Sequence, residues 1–215
     1  MFLSKENHIR WRLLTFATIV VCAFVLASIF YLDAPFADFA IKFNWIGWKY
    51  LGGVFCAKNW LVMSFLAVVI FYARKILRSH EKIGIKEFVL KIKGGNAFFV
   101  FCSVFCSACV VGIAKIMFGR ARPVAEMGPD VFMPMTNDWL FNSMPSGHTA
   151  ITFAGLVMIG LLAPRAKWFT WTLAIIIGAS RLFVGVHWLS DVVLGAFIGM
   201  VCADFVKYIL VRRFK

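Results

Sequence analysis

The most informative residues of the chain are polar side chains placed directly beside long apolar stretches. In the segment SRLFVGVHWLSD, His187 and Asp191 are four residues apart, so on a helix they would share one face. A carboxylate beside one imidazole nitrogen fixes the tautomer and leaves the other nitrogen free to attack an electrophile. The pair is therefore a candidate for nucleophilic catalysis, although the same spacing also occurs in ordinary helix-stabilising pairs at a membrane edge.

Three cations accompany this pair. Lys115 and Arg122 belong to the segment KIMFGRARP, and Arg181 precedes His187 in the same segment as the pair. Charges at the ends of apolar spans are costly to place there and are usually functional. A guanidinium fork and an ammonium group together suit the oxygens of a tetrahedral dianion such as phosphate. The sequence therefore predicts an anion-binding site.

A metal site is the alternative for the same residue types. His148, His187 and Asp191 are side chains that zinc accepts as ligands. Three nearby cations would repel a divalent ion, however, so we expect that no metal binds here.

The segment PSGH opens an apolar run and supplies the remaining polar groups. Pro145 and Gly147 favour a tight bend, and Ser146 is a residue type that caps the helix that follows. Backbone N–H groups at such a helix start bind phosphate oxygens, helped by the helix dipole. His148 would then stand beside the phosphate, where it can give a proton to a departing oxygen. An ordinary helix start with an interfacial histidine is the alternative interpretation.

The elements that must position these residues are membrane-spanning helices. Of the 215 residues, 62% are hydrophobic and the mean hydropathy is +0.85, whereas a water-soluble domain is about half apolar. The apolar runs match the roughly 20 residues that a span requires. The sequence predicts an all-α bundle in one domain, residues 1–215, with the site at the outer membrane face and six spans at about residues 13–32, 60–76, 96–114, 149–163, 168–182 and 188–211.

The distribution of charge predicts how the bundle is oriented. The net charge is +13, and six spans place both termini on one side. That side holds 16 of the 23 Lys and Arg residues, so the termini are expected in the cytoplasm. The active site would then face the periplasm or the cell exterior, from a multi-pass protein of the inner (cytoplasmic) membrane. No motif indicates a nucleic-acid partner.

The three motifs, K-x6-RP, PSGH and SR-x5-H-x3-D, resemble in type and order those of the phosphatidic acid phosphatase type 2 superfamily, which also includes soluble acid phosphatases and vanadium haloperoxidases. All three are complete between Lys115 and Asp191. The resemblance implies that His187 is the nucleophile, that Asp191 orients it, and that His148 is the general acid. It also implies that no metal or other cofactor is used and that phosphate is held by Lys115, Arg122, Ser146, Gly147 and Arg181.

Two features lie outside these motifs. Arg120 has two alternative roles, a contact to a second phosphate or lipid headgroup, or extension of its side chain to the membrane interface, and the second is favoured. The segment 124–144 carries a set of apolar residues that would either guide acyl chains or form an aromatic belt: Phe132, Met133, Met135, Trp139, Leu140 and Phe141.

The expected activity is hydrolysis of phosphate or pyrophosphate groups from membrane lipids through a phosphohistidine. Phosphatidate, phosphatidylglycerophosphate, undecaprenyl pyrophosphate and lipid A phosphates all fit the motifs, and the oligomeric state stays open. A phosphotransferase that passes the phosphoryl group to a lipid or sugar is the first alternative. A haloperoxidase fits less well, because the members of the family with that activity are soluble. A non-enzymatic anion or lipid transporter would not need the pairing of His187 with Asp191.

Overall fold

The protein is a bundle of helices, described here from a computed structural model that covers residues 2–4, 6–79 and 95–214. Within these residues the helices are α1 Trp11–Tyr31, α2 Asp33–Ala40, α3 Ile46–Val54, α4 Ala57–Ser79, α5 Asn96–Phe118, α6 Gly147–Leu162, α7 Lys167–Phe183 and α8 Leu189–Phe214. Short 3₁₀ turns lie at Ile41–Phe43, Pro123–Ala125, Trp139–Phe141 and Pro164–Ala166. The predicted all-α class is confirmed.

Helix α6 forms the centre of the bundle and packs against α5, α7 and α8. Two glycines of α8 lie against the backbone at the start of α6. A Cβ atom on Gly195 would lie 2.6 Å from the carbonyl oxygen of Ser146, and one on Gly199 would lie 2.3 Å from that of Ala150. Because small residues let helix backbones approach closely, α8 lies directly against the helix that begins at PSGH.

The remaining helices surround this centre. Helix α1 packs against α8, α3 packs against α7, and α4 packs against α5 and α6. Their outer faces carry large exposed apolar side chains, such as Phe16, Phe65 and Phe71. An apolar surface of this kind suits acyl chains as solvent and would be unfavourable in water. The protein is an integral membrane protein.

The predicted count of six spans needs correction. Helices occupy all six predicted regions, but four stretches in the described part of the chain have the length and apolarity of a span, namely Trp11–Tyr31, Ile46–Arg74, Asn96–Phe118 and Leu189–Arg212. The fourth and fifth predicted spans correspond to α6 and α7, which have 16 and 17 residues. Both are shorter than the roughly 20 residues that cross a hydrocarbon core. They are short because α6 starts, and α7 ends, at the residues of the polar site.

The orientation stays a prediction. Four of the cations counted on the cytoplasmic side, Lys82, Lys86, Lys91 and Lys93, belong to residues 80–94, which lie outside the described residues. The start of α6 and the end of α7 lie at the same end of the bundle as the segment 119–146, where all three motifs meet. This is the end that the charge distribution assigns to the outer face.

Candidate active site

The candidate nucleophile lies at the entrance to α8. The helix begins at Leu189, so His187 lies in the bend before it, and the expectation that His187 and Asp191 share one helix is corrected. The side chains still meet, because the Asp191 carboxylate folds back toward the helix start. Its Oδ2 accepts a hydrogen bond from the N–H of Trp188 (2.9 Å) and lies 3.6 Å from His187 Nδ1. Trp188 is the residue directly before the helix, and Asp191 is the third residue within it. A hydrogen bond from the N–H of the first to the side chain of the second is one half of a capping box.

Ser143 is a third member of this group that the motifs did not indicate. Its hydroxyl donates a 2.5 Å hydrogen bond to Asp191 Oδ2 and lies 3.5 Å from His187 Nδ1. Ser143 and Asp191 have no exposed surface. The only signal in the sequence was the position of Ser143 two residues before PSGH, and its role becomes visible when the turn is placed against α8. Together the two side chains occupy the Nδ1 side of the imidazole.

Burial keeps His187 neutral. Desolvation above all lowers the pKa of His187 from 6.5 to about 3, with Lys115 and Arg122 acting in the same direction and Asp191 in the opposite one. A neutral imidazole carries a lone pair on one of its two nitrogens. Because Nδ1 faces Asp191, the lone pair is directed to Nε2, which is then available as a nucleophile.

Lys115, near the end of α5, reaches the start of α6. Its Nζ donates to the carbonyl oxygen of Asn142 and, at 3.5 Å, to that of Ser143. A Cβ atom on Gly147 would lie 3.5 Å from Lys115 Cε. The Lys115 side chain therefore lies directly beside the first turn of α6.

Arg122 joins the two loops of the site. It donates to the carbonyl oxygens of Trp139 (2.9 Å), Asn142 (3.1 Å) and Val186 (3.1 Å), and its guanidinium lies 4.3 Å from the Trp139 ring centroid. Burial lowers its pKa to about 10, which leaves it charged at pH 7. A guanidinium has five N–H donors, so donors beyond these three bonds remain for phosphate oxygens.

Arg181, near the end of α7, is held from the other side of the bundle. Its guanidinium donates to the Trp48 carbonyl oxygen (3.0 Å) and to Ser180 Oγ (3.2 Å). A Cβ atom on Gly52 would lie 1.6 Å from one of its terminal nitrogens, so α3 provides a space that only glycine leaves open. The sequence indicated Arg181 but not the helix that determines where its side chain lies.

The PSGH segment forms the predicted helix start with one difference. Helix α6 begins at Gly147, so His148 lies in its first turn, where backbone N–H groups have no partner within the helix. Ser146 occupies the capping position, but its side chain makes no capping bond and instead accepts a hydrogen bond from Thr149 Oγ1 (3.0 Å). The prediction that its hydroxyl caps the helix is wrong. Its backbone N–H donates to the Asp191 carbonyl oxygen (3.0 Å), which joins the turn to α8.

Arg120 does not have either of its predicted roles. Its side chain has no exposed surface, so it neither contacts a headgroup nor extends to the interface. Its guanidinium bridges two carboxylates, Asp191 Oδ1 and Asp33 Oδ2, each at 2.7 Å. Buried charges require partners of opposite sign, and Arg120 is the cation available to Asp33 and Asp191. Its side chain therefore lies inside the protein and not at the membrane interface. Asp33 was not indicated by any motif.

The structure therefore brings the three motifs into one place. His148 is within electrostatic range of Lys115, Arg122 and Arg181, the three cations assigned to phosphate. Lys115 is in turn within range of Asp191. Both imidazoles are thus within electrostatic range of Lys115 and Arg122, an arrangement suited to a phosphate dianion beside a nitrogen nucleophile.

A family comparison identifies this arrangement. The family model of the PAP2 superfamily matches residues 96–215, which is more than half of the chain and contains all three motifs. The chain belongs to the PAP2 superfamily. The resemblance drawn from the motifs between Lys115 and Asp191 is thereby confirmed.

Two individual relatives and one solved structure are similar to the chain. A Rhizobium johnstonii protein named lipid A 1-phosphatase is 28% identical over 200 residues, which is 89% of this chain and 77% of the relative. A Sulfolobus acidocaldarius undecaprenyl-diphosphatase is 34% identical over 98 residues, 44% of this chain and 46% of the relative. The crystal structure of Aquifex aeolicus LpxE matches with a TM-score of 0.58 at 18% identity, covering 82% of this chain and 94% of that one, and so shows the same fold.

Proposed function

We propose that this PAP2 protein, a membrane lipid phosphatase, removes phosphate from its lipid substrate through a phosphohistidine on His187 and without a metal ion. The observation that carries the proposal is the environment of the His187 ring. Asp191 and Ser143 occupy its Nδ1 side, burial keeps it neutral, and cations for phosphate lie nearby. This is the arrangement that a nitrogen nucleophile requires for attack on a bound phosphate.

In the first half-reaction, His187 Nε2 forms a bond to phosphorus while the bond from phosphorus to the lipid oxygen breaks. Burial, with Arg181, Lys115 and Arg122 acting in the same direction, lowers the pKa of His148 to about 4. In this proposal His148 therefore takes up a proton when the phosphate dianion binds, and it gives that proton to the departing oxygen, so the lipid leaves as an alcohol or as a shorter phosphate. The charge that develops on the imidazole ring is stabilised by Asp191. Lys115, Arg122 and Arg181, together with the first-turn N–H groups of α6, stabilise the charge on the phosphoryl oxygens.

In the second half-reaction, water attacks the phosphorus of the phosphohistidine. His148, now without its proton, takes one from the water, and the bond between phosphorus and Nε2 breaks. Inorganic phosphate leaves, and both histidines return to their starting states. A phosphotransferase would differ only in this step, in which an alcohol would replace water.

Metal independence is supported by the charge of the site. Lys115, Arg122 and Arg181 supply the positive charge that a metal ion supplies in other phosphatases. His148 and His187 are both within range of Lys115 and Arg122, so a divalent ion bound by these histidines would be repelled. Excess EDTA should therefore leave the activity unchanged.

The first substrate to test is lipid A phosphorylated at the 1-position. The support is the relative named lipid A 1-phosphatase, which aligns with 89% of this chain. Undecaprenyl diphosphate is the second candidate, supported by a relative that aligns with less of the chain. Both are anionic lipids that would reach the site sideways from the bilayer, past the exposed apolar residues Phe132, Met133 and Met135.

The deciding experiment uses purified full-length protein in detergent. Phosphate release is measured from lipid A, undecaprenyl diphosphate, phosphatidate and phosphatidylglycerophosphate, each with and without EDTA. Rapid quench with a ³²P-labelled substrate should trap acid-labile, base-stable label on the wild type and none on His187→Ala. Activity without any trapped label would favour direct attack by water, and loss in EDTA with recovery in zinc or magnesium would refute the metal-free mechanism. Label that appears on an added alcohol rather than in phosphate would identify a phosphotransferase.

The side of the membrane is tested separately. Met127 lies exposed in the loop between Arg122 and PSGH. Met127→Cys in a cysteine-free background should react with a membrane-impermeant reagent in intact cells. Reaction only after the membrane is broken would reverse the proposed orientation.

A further inference from the structure

A buried charge network connects the candidate active site to the N-terminal part of the chain. Asp33 is the first residue of α2, and Arg120 lies between it and Asp191, with 2.7 Å contacts to both. None of these three side chains has exposed surface. Asp33 lies outside the residues that the family model matches. The motifs therefore describe only one of the two carboxylates that share Arg120.

Ser190 completes the network. Its hydroxyl accepts from Arg120 (2.6 Å) and donates to Asp33 Oδ2, while its backbone N–H donates to Asp33 Oδ1 (2.9 Å). Ser28 Oγ adds a further donor to Asp33 Oδ1 (2.8 Å). Five donors therefore converge on Asp33 and Asp191 from Arg120, Ser190 and Ser28. So many buried bonds specify one geometry, although buried ion pairs as such contribute little net stability.

The Asp33 carboxylate changes the net charge of the network around Arg120. With all groups ionised, Asp33, Arg120 and Asp191 carry a net charge of about −1, by simple addition of their ordinary ionisation states. Without the Asp33 carboxylate, the charge of Arg120 would act on Asp191 alone and cancel it. Asp191 is the carboxylate that faces His187, where positive charge develops during attack on phosphorus.

We propose that Asp33 is a positioning residue that neutralises Arg120 and so keeps the negative charge of Asp191 available to His187. The inference rests on the proposed phosphohistidine mechanism. Asp33 does not touch the substrate in this proposal; it acts through Arg120 and Asp191. Its effect therefore belongs to the step in which the phosphoryl group is transferred, and substrate binding should be unaffected.

The test compares Asp33→Asn with a matched control on the same helix. Asp38 is exposed in α2, so Asp38→Asn makes the same chemical change away from the network. We expect Asp33→Asn to slow phosphoenzyme formation in rapid quench about ten- to hundredfold, the range for charges coupled in one network, with KM unchanged. Asp38→Asn should stay within about twofold of wild type, as is usual for an exposed site away from the machinery.

A double variant separates the electrostatic role from a structural one. Asp33→Asn/Arg120→Gln removes the cation together with Asp33, so no guanidinium offsets the effect of the Asp191 charge on His187. The double variant should form phosphoenzyme faster than Asp33→Asn alone. A double variant that is as slow as Asp33→Asn, or slower, would show that Asp33 serves only to join α2 to α8, and the proposal would be overturned.

Folding of each variant is checked by thermal unfolding in detergent. If Asp33→Asn does not fold, the double variant carries the test, because its remaining carboxylate, Asp191, keeps the hydrogen bonds from the Ser143 hydroxyl and the Trp188 N–H. If the double variant forms phosphoenzyme at a rate within about tenfold of the wild type, a modest change for a network residue, the proposal is supported. If the folded double variant forms no labelled phosphoenzyme at all, the proposal is refuted. If the wild type itself never labels, the phosphohistidine mechanism fails, and the same variants compared by kcat still decide the role of Asp33.

Discussion

The N-terminal and C-terminal parts of the molecule contribute differently to the site. In an apolar window of 18 residues, 50% of the positions are buried within Leu189–Arg212, whereas only 17% are buried within Trp11–Tyr31 and 11% within Ile46–Arg74. The three motifs lie in the C-terminal part, where α5, α6 and α8 pack tightly. The N-terminal helices mostly face lipid and reach the site through Asp33 and through the α3 backbone beside Arg181. Chemistry and lipid contact are thus largely separated along the chain.

The largest effect is expected in the C-terminal part of the chain, at the candidate nucleophile His187. His187→Ala should abolish turnover and the trapped phosphoenzyme, because no other group occupies the position of its Nε2 in the proposed mechanism. Phosphate release and rapid-quench labelling measure both effects. If His187→Ala keeps the label while His148→Ala loses it, the roles of the two histidines are reversed.

The second largest effect is expected at His148. His148→Ala should slow phosphoenzyme formation roughly 10²–10⁴-fold, the usual contribution of a general acid. The loss should be much smaller with an aryl phosphate, whose leaving group needs little protonation. The test is to measure kcat of the wild type and of His148→Ala with the lipid substrate and with an aryl phosphate. If kcat falls by the same factor with both substrates, His148 holds phosphate and does not donate a proton.

A third test breaks the contact between the two parts. Gly52→Ala in α3 should displace the Arg181 guanidinium, because the new Cβ would lie 1.6 Å from one of its nitrogens. Loss of one charge-assisted contact to phosphate should raise KM about tenfold or more. Gly53→Ala is the matched control, since a Cβ atom there has nothing within 4 Å. Equal kinetics for the two variants would show that α3 does not position Arg181.

The smallest effect concerns pH and stability. The pKa of His187 is about 3 in the folded protein and near 6.5 when unfolded. Between these values the unfolded chain binds a proton that the folded chain does not, so stability should fall as pH falls below about 6.5. His187→Asn removes this contribution, and its Tm should therefore decrease less between pH 7 and 4.5, by a few degrees. Parallel Tm curves for wild type and variant would contradict the assigned burial of a neutral ring.

Some local expectations from the sequence were wrong because a competing partner was present in three dimensions. Ser146 was expected to cap α6, but Thr149 donates to its hydroxyl instead. His187 was expected on a helix with Asp191, but α8 begins after it. Arg120 was expected near the interface, where an arginine at a helix end usually lies, but Asp33 and Asp191 offer it two buried carboxylates.

The sequence by itself determined the helical membrane class, the family and the residue types of the site, because apolar length and motif spacing are properties of the chain alone. Only the tertiary structure decided which polar and charged side chains pair with one another. Asp33 and Arg120 are 87 residues apart, and Ser143 and Asp191 are 48 apart. Pairings over such distances depend on how α2, α5 and α8 pack, and no local pattern records that packing. The lengths of α6 and α7 were decided in the same way, because both helices stop where the site requires turns.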